Sequence, residues 1–69
     1  MNNLSGKNDG FEWTVNVRPS LSGGYYALVR VGGTLMTTPN FDDPEECEAA
    51  GCSLMADTLA ELLDVQNAI

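Results

Sequence analysis

The stretch FEWTVNVR, residues 11–18, carries the clearest structural pattern in the sequence. Apolar and polar side chains alternate strictly along it, so one face of an extended chain carries Phe11, Trp13, Val15 and Val17. Such alternation is typical of a strand with one buried face and one solvated face. It predicts a β-strand that packs against a second layer of structure.

The residues that follow this stretch predict a hairpin. Pro19 ends the first strand, because proline lacks the backbone N–H that a sheet ladder needs, and residues 20–24 read as a flexible connection. Residues 25–31, YYALVRV, are rich in aromatic and β-branched side chains, which favour a second strand. The Gly32-Gly33 pair tolerates the positive φ values of a two-residue turn and leads into a third strand at residues 34–38.

The second half of the sequence changes to a helical pattern. Asp43 suits the N-cap, Pro44 the first helical position, and Glu46 the third position of a capping box. Gly51 weakens the pattern, and a break there, with Ser53 capping a second helix, is the alternative. The residues predicted to face the sheet are Cys47, Gly51, Leu54, Met55, Thr58, Leu59, Leu62 and Val65.

Together these patterns predict an α+β domain of β-β-β-α order. Its three-stranded antiparallel sheet would carry one C-terminal helix packed on one face. Residues 1–10, rich in Asn, Gly and Ser, are predicted to be a flexible leader, and residues 11–69 a single domain. A chain of 69 residues buries a small core, so a second copy or another partner is a natural source of added stability.

Acidic residues are concentrated in the helical half of the chain. The net charge is −7, and all but two of the acids lie between residues 42 and 64, where there is no base. Capping and the helix dipole explain acids in the first turn, but not Asp57, Glu61 and Asp64, which lie where Lys or Arg is normally favoured. We therefore expect a basic protein partner. The predicted partner-binding residues are Asp42, Asp43, Glu46, Asp57, Glu61 and Asp64.

The composition argues against several other functions. There is no histidine, and the single lysine lies in the predicted leader, so we expect neither an enzyme nor a cofactor. The run DDPEECE lacks the ligand spacing and glycine of a calcium loop, and two cysteines without histidine do not make a usual zinc site, so we expect no metal site. Few bases, no long apolar run and a polar N-terminus predict a cytoplasmic protein that contacts neither nucleic acid nor membrane directly.

In its small size, acidity and lack of catalytic groups the chain resembles small phage-encoded inhibitors such as anti-CRISPR proteins. The resemblance covers the whole chain in general character. Because those inhibitors share no common motif, it assigns no role to any single residue. It implies a protein-binding inhibitor that mimics nucleic acid and blocks a basic nucleic-acid-binding site, such as that of a CRISPR effector complex.

The second face of the predicted sheet suggests an alternative function. One helix covers only one side of a sheet, so Tyr26, Leu28 and Arg30, joined by Leu35 across the hairpin, are predicted to be exposed. This group would suit a non-catalytic homodimer or an accessory subunit. In that case the acids would serve mainly to keep the protein soluble.

Overall fold

Four strands and one helix make up residues 3–67, the part of the chain that this computed structural model describes, with side chains described as far as Val65. The strands are β1 (Asn3–Asn8), β2 (Phe11–Pro19), β3 (Tyr25–Val31) and β4 (Thr34–Thr37), and the helix α1 is Pro44–Asn67. The strands pair antiparallel in chain order as one sheet. The α+β class, with an antiparallel sheet and one C-terminal helix, is confirmed.

The number of strands is four, whereas the sequence predicts three. The added strand β1 lies within residues 1–10, the predicted leader, of which residues 1 and 2 fall outside the described range. Asp9 and Gly10 have φ values of 52° and 88°, which suit the tight turn that places Asn8 opposite Phe11. β1 has few apolar side chains, so it is held to β2 mainly by backbone hydrogen bonds. A search for alternating apolar and polar residues therefore does not detect this strand.

The core forms between α1 and the alternating face of β2 and β3. Val15 and Val17 are buried, which confirms the alternation predicted for residues 11–18. The other buried apolar residues are Ala27, Val29, Val31, Cys47 and Leu59. The predicted helix face therefore packs on the sheet as expected, except that Val65, near the end of α1, is 70% exposed.

Gly51 is buried in a helix that continues without a break. A Cβ atom built at this position would lie 2.7 Å from Val15 Cγ1 and 3.0 Å from Ala27 Cβ. Glycine is therefore the residue that lets α1 approach the sheet closely at this point. The alternative of a helix break with Ser53 as a second cap is wrong, because the packing requirement outweighs the low helix propensity of glycine.

A tight turn joins β3 to β4, and the segment after β4 leads to the start of the helix. Gly32, at φ 58°, and Gly33 make the predicted two-residue turn between β3 and β4. Beyond β4, buried Thr38 accepts the Ala27 N–H at its Oγ1, at 2.9 Å. Phe41 then pairs with Tyr25 through two backbone hydrogen bonds of 2.7 Å. The segment that precedes α1 is thus held against β3.

Candidate functional site

Asp43 is the N-cap of α1, as its position in the sequence predicts. Its Oδ1 accepts the Glu45 N–H at 2.9 Å, and its backbone carbonyl accepts the Cys47 N–H at 3.0 Å. These are the bonds of an N-cap residue, so one carboxylate of the acidic run has a structural role. Asp42 and Glu46 lie on either side of it and are exposed.

The predicted partner-binding acids fall into two groups along the helix. Asp42, Asp43 and Glu46 form an N-terminal acidic group at the start of α1. Asp57, Glu61 and Asp64, all exposed, form a C-terminal acidic group that begins about 16 Å further along the axis, at 1.5 Å per residue. The fold thus places these acids on the solvent side of α1 but does not gather them into one cluster.

The C-terminal acidic group is a short row of charge. At 100° per residue its three members lie within an arc of about 60°, and they extend over about 10 Å of helix. Small exposed side chains lie beside them on the same outer surface, namely Ala49, Ser53, Ala56 and Ala60. The outer surface of α1 therefore has low relief, with the carboxylates projecting from it.

The other side of the sheet, which α1 does not cover, has the opposite charge. We call it the open sheet face, and it carries Lys7, Glu12, Arg18, Tyr26, Leu28, Arg30 and Leu35. Residues directly opposite one another on antiparallel strands share a face, and the register pairs Lys7 with Glu12, Arg18 with Tyr26, and Arg30 with Leu35. All the basic residues of the chain lie here, with Glu12 as the one acid.

The residues predicted for a sheet contact do lie together on this face. Tyr26 and Leu28 are half-buried among their strand neighbours, Arg30 is exposed, and Leu35 is 58% exposed. Within the described residues the helix packs only on the reverse side, mainly against β2 and β3, and the Thr58 hydroxyl also donates to the Met36 sulfur of β4. The face is therefore free to contact another molecule.

A clamped loop between β2 and β3 is a feature that sequence patterns alone did not indicate. The Asn40 Nδ2 group donates to Ser20 Oγ and to Ser22 Oγ, each at 2.9 Å. Within this loop, Leu21 is fully exposed at its tip. The predicted flexible connection is thus an ordered loop, and its Gly24 lies against the backbone of Phe41. Ser20 and Ser22 lie far from Asn40 in the sequence, so no local sequence pattern indicates that these side chains form hydrogen bonds with one another.

A shallow cleft of about 420 Å³ lies at β1 and β2, and its lining residues are Ser5, Gly6, Lys7, Glu12, Trp13 and Thr14. Its two charged groups, Lys7 and Glu12, face each other in the register, so the cleft has no net charge. The indole Nε1 of Trp13 is buried and has no hydrogen-bond partner among residues 3–67. The packing of Trp13 on Gly6 explains why that nitrogen is shielded from solvent.

Three further findings concern sites of other kinds. Within residues 3–67 there is no group of three or more acidic or cysteine side chains placed to hold a metal ion. Cys47 is buried and Cys52 is half-buried, and both are free thiols. Within residues 3–67, the helix α1 contains no stretch that is long and apolar enough to span a membrane.

The chain matches no protein-family model, no curated protein and no solved structure. Its functional interpretation therefore rests on its own geometry and charge. The fold and its surfaces define a small α+β domain in which an acidic helix and a basic sheet face lie on opposite sides.

Proposed function

We propose that this protein is a non-enzymatic inhibitor that binds a basic protein partner through the exposed acids of α1. In this proposal the acids mimic nucleic acid and occupy a basic nucleic-acid-binding site, such as that of a CRISPR effector complex. The partner-binding residues are Asp42, Asp43, Glu46, Asp57, Glu61 and Asp64.

The observation that carries the proposal is the C-terminal acidic group. Asp57, Glu61 and Asp64 are exposed in the second half of a helix, beyond the first turn where the helix dipole favours negative charge. The first-turn acids have a structural explanation in the N-cap bond of Asp43, whereas these three have none. A surface that binds a basic partner supplies a reason for their presence.

Charge spacing supports the mimicry. The three carboxylates follow one another at axial steps of about 6 Å and about 4.5 Å, at 1.5 Å per helical residue. A single strand of DNA carries one phosphate per about 3.4 Å of its axis, so this row, with one charge per about 5 Å, has about two-thirds of the charge density of one strand. Lys and Arg side chains, which are long and mobile, can adjust to the remaining difference.

A second candidate function uses the open sheet face. Leu35 is 58% exposed on β4, beside half-buried Leu28 on β3, and this apolar group has no covering element within the described residues. A non-catalytic homodimer or an accessory subunit would bury it. The acids of α1 would then face water.

Affinity capture at two salt concentrations, with variants, tests the two candidates together. The triple variant Asp57→Lys, Glu61→Lys, Asp64→Lys reverses the C-terminal acidic group, and Leu35→Asp alters the open sheet face. All four side chains are exposed, so both variants are expected to fold. The proposal predicts that a basic nucleic-acid-binding protein is captured at low salt, is lost at high salt, and is lost with the triple variant alone. Capture that depends on Leu35 and not on salt would favour the second candidate.

A further inference from the structure

The two layers of the domain have opposite charges on their outer surfaces. Arg18 and Arg30 project from the open sheet face, on the central strands β2 and β3. The helix that packs on the reverse side of these same strands exposes Asp57, Glu61 and Asp64. A single chain therefore carries a cationic surface and an anionic surface that point in opposite directions.

The outer surface of the helix also permits close approach by a sheet. The open sheet face carries Leu28 and Leu35 among its polar and basic residues. The outer surface of α1 has low relief, since small side chains such as Ala56 and Ala60 lie beside the acids. Small side chains let a sheet approach a helix closely, as Gly51 already does on the inner side of α1.

We propose that the open sheet face of one copy binds the outer surface of α1 from a second copy, in a head-to-tail arrangement. Arg18 and Arg30 of one copy would contact Asp57, Glu61 and Asp64 of the next. The apolar part of the contact would be Leu35 and Leu28 on the sheet against the small residues on the outer surface of the helix. Because the two contacting surfaces differ, a pair of copies retains one free sheet face and one free helix surface, so further copies can add or the assembly can close into a ring.

Charge favours this arrangement over a symmetric contact between two open sheet faces. A symmetric contact would bring Lys7, Arg18 and Arg30 of both copies together, with only Glu12 of each copy to offset them. Like charges in an interface oppose association. The net charge of −7 also repels two copies at long range, but salt screens that repulsion beyond about 8 Å at physiological ionic strength, while contacting groups still attract.

Self-association would affect the binding of a basic partner, because both contacts use the same side of α1. The acids that would bind a basic partner are the same ones that a second copy would cover. A basic partner and the open sheet face of a neighbouring copy therefore compete for α1. Self-association would hold the inhibitor in a stored form from which a partner releases it.

Mass measurement of charge-reversed variants tests the arrangement. The sheet variant is Arg18→Glu with Arg30→Glu, and the helix variant is Asp57→Lys with Glu61→Lys and Asp64→Lys. Every altered side chain is exposed, and circular dichroism would check that each variant is folded. Sedimentation equilibrium over a range of concentrations gives the mass of each protein alone and of the two variants mixed.

The expected mass of each sample depends on whether it offers both an acidic surface and a basic surface that can meet. The natural chain should exceed its monomer mass of 7.4 kDa as concentration rises, and each variant alone should stay at that mass. The equimolar mixture should again exceed it, because the acidic helix of the sheet variant meets the basic sheet of the helix variant. A chain that carries all five changes should associate as the natural chain does, since both of its surfaces are reversed.

Several outcomes would overturn the inference. A natural chain that remains at 7.4 kDa at every concentration would contradict it directly. A helix variant that associates alone would also contradict it, because both outer surfaces of that variant are basic and a charge-paired contact between them is no longer possible. The proposed function is tested separately, since the sheet variant leaves the acids of α1 intact and should still capture a basic partner.

Discussion

Gly51 of the helix lies so close to Val15 of the central strand β2 that a side chain has no room between them. A Cβ atom at position 51 would approach Val15 Cγ1 to 2.7 Å, and it would also lie 3.0 Å from the Cβ of Ala27. Val15 is itself completely buried. This contact sets how closely α1 approaches the sheet.

Replacing Gly51 with alanine is therefore expected to destabilise the protein. In an open helix the same change would stabilise it by about 1 kcal/mol, because alanine has the higher helix propensity. Here the added methyl must push Val15 or the helix aside, and overpacking of this kind costs about 1–3 kcal/mol. Urea denaturation followed by circular dichroism would measure the free energy of unfolding.

A matched control separates packing from helix propensity. Ala56→Gly, at an exposed position of the same helix, should cost about 1 kcal/mol through propensity alone. Gly51→Ala and Ala56→Gly should thus both lower stability, although they are opposite substitutions. A Gly51→Ala variant that is more stable than the natural chain would show that the close contact with Val15 is not present.

The N-cap bond of Asp43 predicts a difference between neighbouring acids. Asp43→Ala removes the acceptor of the Glu45 N–H and should lower the free energy of unfolding by about 1 kcal/mol. Asp42→Ala removes an exposed carboxylate of equal charge and should change it by less than about 0.5 kcal/mol. Equal effects of the two substitutions in a thermal melt would contradict the capping role.

The strand β1 predicts that the N-terminal residues contribute to stability. A Cβ atom at Gly6 would lie 2.6 Å from Cζ2 of Trp13, so Gly6→Ala must displace the indole ring. The expected loss is about 1–3 kcal/mol, accompanied by a change in tryptophan fluorescence. Ser5→Ala, on the exposed side of the same strand, is the control and should have little effect. An unchanged melting temperature for Gly6→Ala would instead favour the flexible leader predicted from the sequence.

The loop between β2 and β3 predicts that its clamp and its tip have separate roles. Asn40→Ala removes hydrogen bonds to Ser20 and Ser22 and should lower stability by about 1 kcal/mol. Leu21→Ser, at the fully exposed tip, should leave stability within about 0.5 kcal/mol of the natural value. Amide hydrogen exchange at Gly23, whose N–H bonds to Ser20 O, should accelerate in the Asn40 variant. Exchange that is already rapid in the natural chain would contradict an ordered loop.

Elements with a strong periodic pattern could be predicted from the sequence. The alternation of Val15 with its neighbours identified β2, and the Asp43-Pro44 pair identified the start of α1. The strand β1 could not be found in this way, because an edge strand of small and polar residues depends on backbone pairing with β2. The continuous helix at Gly51 also required tertiary information, namely the proximity of Val15.

The candidate surfaces could be predicted in part. The outward positions of Asp57, Glu61 and Asp64 follow from helical spacing, and the grouping of Arg30 with Leu35 follows from the Gly32-Gly33 turn. Charge segregation between the two faces could not be predicted fully. Lys7 joins Arg18 and Arg30 on the open sheet face only because β1 pairs with β2. The clamp on the loop at Leu21 depends on a contact between segments that are distant in sequence.

The most direct test of the proposed function compares two affinities of a captured basic partner. One is its affinity for the natural chain, and the other is its affinity for the helix variant. The natural chain should bind it, and added nucleic acid or high salt should displace it. Asp57→Lys, Glu61→Lys and Asp64→Lys together should weaken binding about 100-fold or more, at about 1 kcal/mol or more for each charged contact. Equal affinity of the natural chain and this variant would contradict a role for the acidic helix in partner binding.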